Sequence, residues 1–213
     1  MSTQTDVAYK FLKDKILDGT YKPSQRLTET DLAQVVGVSR NTVRQALLKL
    51  EQENLVEIEL NKGARIKSFT LDEILNYLQI REVLEGLVAR TAAAHIQEFQ
   101  LKKMEDLLTS MREHVDKNEL DEYSAKNREF HNVIYSASRN SQAVDLITMI
   151  KTQLNRYHLR TILVPGRTTD SLLEHQTILD ALRKRDGEAA DHAIRIHIAH
   201  IRETIEKNYN YLL

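Results

Sequence analysis

Clear alternation of apolar and polar residues occurs in one stretch of this chain. From Leu55 it reads LVEIEL, with Val56, Ile58 and Leu60 set against Glu57 and Glu59, then Asn61-Lys62-Gly63, then ARIK. Period-two patterning interrupted by a short glycine-containing turn predicts a β-hairpin. Elsewhere the apolar residues recur at helical spacing. Three short helices are expected before the hairpin: Val7 to Leu17 closed by Gly19, Thr28 to Val36 closed by Gly37, and Ser39 to Gln52. Glycine just past a helix end suits the left-handed conformation that satisfies its last carbonyls.

After the hairpin, Thr70-Leu71-Asp72-Glu73 has the T-x-x-E spacing of a capping box and marks a fresh helix. Helical periodicity then runs through Leu71 to His95, Gln100 to Asp116, Glu119 to Ala137, Gln142 to Leu163, Thr169 to Arg185 and Glu188 to Tyr209. The chain therefore divides near Ser68. Residues 1–68 have the element order of a winged helix-turn-helix, and residues 69–213 that of an all-α six-helix antiparallel bundle. The fold class is mostly α.

Composition narrows the chemistry. The 213 residues are enough for two modest domains, and the absence of cysteine excludes disulfides and thiolate ligands, so any metal must bind nitrogen or oxygen. Every apolar run is broken well short of the roughly 18 residues a membrane span needs, which points to a cytoplasmic protein with no membrane partner. Net charge is −1, but residues up to Thr70 carry 11 Lys+Arg against 9 Asp+Glu and the remainder 19 against 22. The asymmetry is mild, so a local cationic face matters more than the total.

Such a face is encoded in the third helix. Val43, Ala46, Leu47 and Leu50 form its apolar side, while Arg40, Asn41, Thr42 and Arg44 crowd its first turns. Helix starts carry partial positive charge and favour acidic residues, so arginines placed there call for an external anion. Arginine grips guanine O6 and N7, asparagine does the same for adenine, and threonine meets a thymine methyl or a phosphate.

A second constellation lies in the bundle. His131 stands three residues before Ile134, His175 between Leu172 and Leu179, and His197 between Ile194 and Ile201, so all three point inward from separate helices. Asn127 precedes His131 by four residues and shares its helix face. Three imidazoles and an amide oxygen suit a divalent transition metal, with zinc or nickel foremost, and leave a coordination position for water or a carboxylate. The bland alternative is three core histidines bonded to neighbours. Arg81, between Leu78 and Leu84, is a cation on an apolar face, and either Glu85 one turn on or a bound organic acid can pair with it. Arg156 and Arg160 are weaker candidates. His95, His114, His158, His192 and His200 share no comparable pattern.

The stretch RLTETDLAQVVGVSRNTVRQALLKLEQENLVEIELNKGARI resembles the DNA-binding domain of the GntR family. That likeness implies a recognition helix bearing Arg40, Asn41, Thr42 and Arg44, a phosphate contact at the cap Ser39, a wing tip at Gly63, and flanking DNA contacts at Lys62 and Arg65. Asn-Thr in RNTVRQAL stands where Thr-Pro is commoner, which bears on operator sequence. From Leu71 onward, LQIREVLEGLVARTAA, NREFH, LEHQTILDAL and RDGEAADHAIRIHI resemble the helical FCD effector domain of FadR-type regulators, the six-helix count suiting the VanR-like group. The resemblance implies a homodimeric repressor of operator DNA, metal ligands at Asn127, His131, His175 and His197, and Arg81 facing an organic-acid effector. Asn127 replaces a more frequent aspartate. Two rivals remain at this point: a metal-dependent hydrolase using Glu174 as base, and a regulator whose pocket works without metal.

Overall fold

The computed structural model describes residues 3–59, 62–155 and 160–212. Leu60 and Asn61 of the expected hairpin, and Arg156 and His158, lie outside the described residues. The chain divides into two compact units between Thr70 and Leu71, except that residues 151–155, the last turn of the helix that begins at Ser141, belong with the first.

The first unit contains α1 (Gln4–Leu17), β1 (Arg26–Leu27), α2 (Glu29–Val36), α3 (Arg40–Gln52), β2 (Val56–Glu59) and β3 (Gly63–Ile66). Each helix start is capped by the residue type that local chemistry favours. Thr3 and Asp6 close a reciprocal capping box, the Thr28 hydroxyl accepts from the Asp31 amide, and the Ser39 hydroxyl accepts from the Thr42 amide at 3.1 Å. Gly37 ends α2 in the left-handed region at φ 75° and donates to the Ala33 carbonyl, which fixes the tight turn into α3. The expected apolar face of α3 is inside: Val43, Ala46, Leu47 and Leu50 are at most 1% exposed. They pack with Leu12 and Ile16 of α1 and Val56, Ala64 and Ile66 of the sheet.

The sheet has three antiparallel strands in the order β1-β3-β2, one more than the sequence pattern shows. β1 is two residues long, pairing Arg26 with Arg65 and Leu27 with Ala64. Alternation has no meaning over two residues, so tertiary pairing alone creates this strand.

The second unit is built from α4 (Leu71–His95), α5 (Glu98–Asp116), α6 (Leu120–Ala137), α7 (Ser141–Asn155), a 3-10 turn at Thr161–Leu163, α8 (Arg167–Arg183) and α9 (Gly187–Leu212). Six α-helices are therefore described, with α4 packed chiefly along α9, and α5 against α6 and α8. One boundary differs from expectation. The helix expected to reach Leu163 is described as far as Asn155, whereas Thr161–Leu163 form a 3-10 turn and Val164 takes an extended conformation (φ −75°, ψ 126°). Proline disfavours a helical residue before it, and Pro165 follows Val164 directly. The core gathers Ala89, Ala92 and Ala93 of α4 with Met104, Phe130, Ile134, Ile178 and Ile194.

Gly63 opens β3 at φ 91°, and a Cβ built there would lie 2.2 Å from the Leu27 backbone oxygen. At Gly37 (φ 75°) a Cβ would meet nothing within 4 Å. Both alanine variants suffer left-handed strain of about 1–2 kcal/mol, but only Gly63→Ala must also push β1 off β3. Urea melts of the two variants should show the larger loss of stability for Gly63→Ala. Equal losses would mean that the β1–β3 contact contributes nothing.

Candidate metal centre and nucleic-acid interface

His131 on α6, His175 on α8 and His197 on α9 converge, each offering a ligand nitrogen within 4.8 Å of the others. All three are buried. Their environment fixes which nitrogen faces the centre. His175 Nδ1 lies 2.5 Å from the Ser171 carbonyl oxygen, which only accepts, so the proton sits on Nδ1 and the lone pair on Nε2. His197 Nδ1 donates to Glu174 Oε2 at 2.6 Å, leaving Nε2 as a bare lone pair, buried and without a hydrogen-bond partner. Burial pushes His175 down to about 3 and depresses His197 as well, keeping both rings neutral. His175 Nε2 and His131 Nε2 are 3.3 Å apart. A proton on the latter, or a cation shared by both, makes that approach favourable.

Carboxylates organise the next layer. Glu174, on α8, is opposed by burial but held at about 2 by hydrogen bonds from His197 and Arg167, so it is ionised. Besides His197 it accepts from both Arg167 Nη atoms, at 3.1 and 2.7 Å, and from His200 Nδ1 at 2.7 Å. Glu85 on α4 is fully buried; its Oε1 accepts from Arg81 Nε and from the Tyr135 hydroxyl, each at 2.8 Å, and its Oε2 lies 3.9 Å from His131 Nδ1. Arg81 is thus paired internally by Glu85. Asn127 sits one turn before His131 on α6, and its Oδ1 is buried with no hydrogen-bond partner. Lone pairs presented by imidazoles whose other nitrogens are tied to oxygen form the donor set expected around a transition metal.

The structure brings together the three histidines that the sequence pattern singles out, while part of the surrounding layer carries no sequence signal of that kind. The sequence pattern assigns His200 no role and Glu174 only that of a base in the hydrolase reading; the three-residue spacing of His197 and His200 on one helix is the signal that joins them to Glu174. Among the other histidines, His95 Nδ1 bonds the Thr91 carbonyl oxygen and His114 Nδ1 bonds Glu119, each away from the cluster.

In the first unit, Arg40 and Arg44 project from the start of α3 with side chains 66% and 59% exposed. Together with Lys62 and Gly63 of the wing, Arg26 of β1 and Glu29 of α2, they line a groove of about 650 Å³. Ser39 is occupied as the helix cap, its hydroxyl 2.8 Å from the Thr42 hydroxyl, while Asn41 is exposed. The expected external anion for Arg44 is supplied from within: Glu29 accepts from Arg44 Nε at 2.8 Å and Nη2 at 3.1 Å, and lies 3.6 Å from Arg40 Nη2. Arg65 donates to Glu59 at 2.9 Å and to the Ser24 carbonyl oxygen at 3.1 Å. No helix among the described residues is long and apolar enough to cross a membrane.

These features match known proteins over nearly the whole chain. The model of the gntR family of bacterial regulatory proteins fits residues 4–66, and that of the FCD domain fits residues 76–200. The chain is 28% identical over 199 residues to the HTH-type transcriptional repressor RspR of Escherichia coli, covering 93% of this chain and 87% of the relative. It is 26% identical over 199 residues to the E. coli repressor GlaR, covering 89% and 90%. Among solved structures, E. coli McbR/YncC superposes with a TM-score of 0.75 at 23% identity (98% and 100% covered), and Listeria monocytogenes Lar with 0.67 at 21% (97% and 98%), likenesses of fold. Relatives named as regulators set aside the hydrolase reading, and Glu174 is already engaged by two histidines and an arginine. The chain belongs to the gntR family of bacterial regulatory proteins, DNA-binding transcriptional regulators, and within it to those that carry a helical FCD domain.

Proposed function

We propose that this chain represses transcription by binding operator DNA as a homodimer, under control of a small carboxylate-bearing metabolite held at a metal in the second unit. The observation that carries the metal reading is the tautomer pattern. Ser171 and Glu174 take the Nδ1 protons of His175 and His197, so both Nε2 lone pairs face one point beside His131. Asn127, with its unpartnered buried oxygen, fits a fourth ligand. Zinc or nickel suits this set, and when bound supplies a Lewis-acidic position open to an anion. A neutral amide leaves more positive charge on the ion than a carboxylate does, which favours an acidic effector. Arg81 is its second anchor in this reading, and the effector must then displace Glu85 from it.

In this reading Arg40, Asn41, Thr42 and Arg44 read bases, while Ser39, Lys62, Gly63 and Arg65 meet the DNA backbone. Repression accords with the names of RspR and GlaR. The dimer is supported by α4, apolar on two sides: Leu78, Val88 and Ala92 are buried, yet Ile80 and Val83 are 52% exposed and Leu87 40%. Such a stripe on a helix at i, i+3 and i+7 fits a second copy of itself about a two-fold axis. Effector control needs only different affinities for the DNA-competent and incompetent forms, typically about 1–3 kcal/mol of coupling.

Titrating purified protein with duplexes flanking its own coding region, at fixed salt, should find a specific site bound by two chains. Arg44→Ala should weaken it by roughly 1–3 kcal/mol if the arginine grips a guanine. Unchanged affinity, or one chain per site, contradicts the respective assignment.

The buried histidines also set a pH dependence. With His175 at about 3 in the folded protein against 6.5 unperturbed, the unfolded chain takes up a proton that the folded chain refuses. Stability from this source is complete above pH 6.5 and falls as the pH drops towards 3. Glu174, depressed to about 2, adds loss in the same direction below 4.5. In the presence of a chelator, the urea midpoint should be lower at pH 5.5 than at 7.5. A midpoint that holds or rises would show that the cluster is not buried and neutral.

A further inference from the structure

The two-residue strand β1 places Arg26 directly opposite Arg65 on β3. Like charges at facing positions of an antiparallel pair destabilise it unless an anion lies between them. Here Glu59, the last residue of β2, is that anion: its Oε1 accepts from Arg65 Nε at 2.9 Å and its Oε2 from Arg26 Nη2. Both guanidiniums remain nearly half exposed, 45% for Arg26 and 44% for Arg65. Arg26 and Glu59 line the same groove as Arg40 and Arg44 of α3, and on the α3 side Glu29 holds Arg44 by two hydrogen bonds in the same way. The groove is therefore lined by three arginines, each within ion-pair distance of an internal carboxylate, together with Lys62 of the wing.

A carboxylate bridging two guanidiniums has the geometry of a backbone phosphate bridging them: two oxygens, each accepting a charge-assisted N–H. We infer that Arg26 is a phosphate-contacting residue of the DNA interface, and that Glu59 occupies the phosphate's place between Arg26 and Arg65 until DNA displaces it. This rests on the reading of α3 and the wing as the DNA-facing surface. Phosphate contact by any of these arginines exchanges one anion for another, so its net gain is small. Glu59 thereby lowers affinity for DNA of any sequence and leaves discrimination to the base-reading residues. A Glu59 that only staples the three strands together would leave DNA affinity following wing stability alone.

The test uses the full chain and a random-sequence duplex, with the dissociation constant followed by fluorescence anisotropy between low and moderate salt. Log affinity falls with log salt by about 0.9 per phosphate neutralised. Arg26→Gln should reduce that slope by about one such unit and weaken binding several-fold, whereas Arg26→Lys, which keeps the charge, should retain the slope. Glu59→Gln should tighten binding several-fold, more than Glu57→Gln, which removes a wing charge without touching the Arg26–Glu59 bond. Adding Arg26→Gln to Glu59→Gln should remove the gain that depends on Arg26. An unchanged slope in Arg26→Gln overturns the inference, as does a Glu59→Gln protein that binds more weakly in step with a lower melting temperature. Should Arg26→Gln fail to fold, the Glu59→Gln and Arg26→Lys titrations decide alone. Wild-type protein showing no salt-dependent affinity for any duplex would overturn the DNA-face reading itself, a result distinct from these.

Discussion

The hydrogen bond from His197 Nδ1 to Glu174 is the contact on which the bundle's chemistry depends. An ionised, largely buried carboxylate costs desolvation, and it persists because Arg167, His197 and His200 all donate to it. In return it settles a choice that a neutral imidazole leaves open, which nitrogen carries the proton. Ser171 makes the same choice for His175 through its carbonyl oxygen. Three histidines on three helices would otherwise be polar groups in an apolar core; with the outer nitrogens of His175 and His197 tied down, these two present lone pairs to a common point.

Carboxylates play a related part in the winged unit, with more exposed partners. Glu29 and Glu59 sit near the surface and hold arginines whose side chains are about half exposed. Glu29 is drawn below the usual carboxylate range chiefly by its hydrogen bond with Arg44, and Glu59 by its bond with Arg26. Screened pairs of this kind contribute little to stability, which is what allows another anion to compete for the arginine. A carboxylate that fixes imidazole tautomers and one that can be exchanged are two uses of one residue type, separated by the exposure of their partners: Arg167 is 6% exposed, Arg44 59% and Arg26 45%.

Much of this architecture was legible in the sequence because helices of ten or more residues repeat their pattern often enough to be read. The α3 face of Val43, Ala46, Leu47 and Leu50, the start of α4 at Leu71, and the inward direction of His131, His175 and His197 all follow from a 3.6-residue period. The missing parts are those without a period. β1 is two residues long and exists through its partner, and the backbone at Val164 is extended because a proline follows it. The Glu29–Arg44 and Arg26–Glu59 pairs join residues 15 and 33 positions apart. The part played by His200 was hidden because an exposed histidine on the flank of a helix looks like solvated surface until the carboxylate it meets is placed.

The most direct measurement of the central claim is cobalt binding to chelator-stripped protein, followed by visible absorption. The Glu174-anchored centre predicts d–d bands that saturate at one ion per chain, shift on adding a small carboxylate, and vanish in His197→Ala. Glu174→Gln should weaken cobalt affinity by roughly 10- to 100-fold, the usual effect of losing such an orienting partner. Absence of those bands in the wild-type protein, or a Glu174→Gln variant that binds cobalt as tightly as wild type, would contradict it.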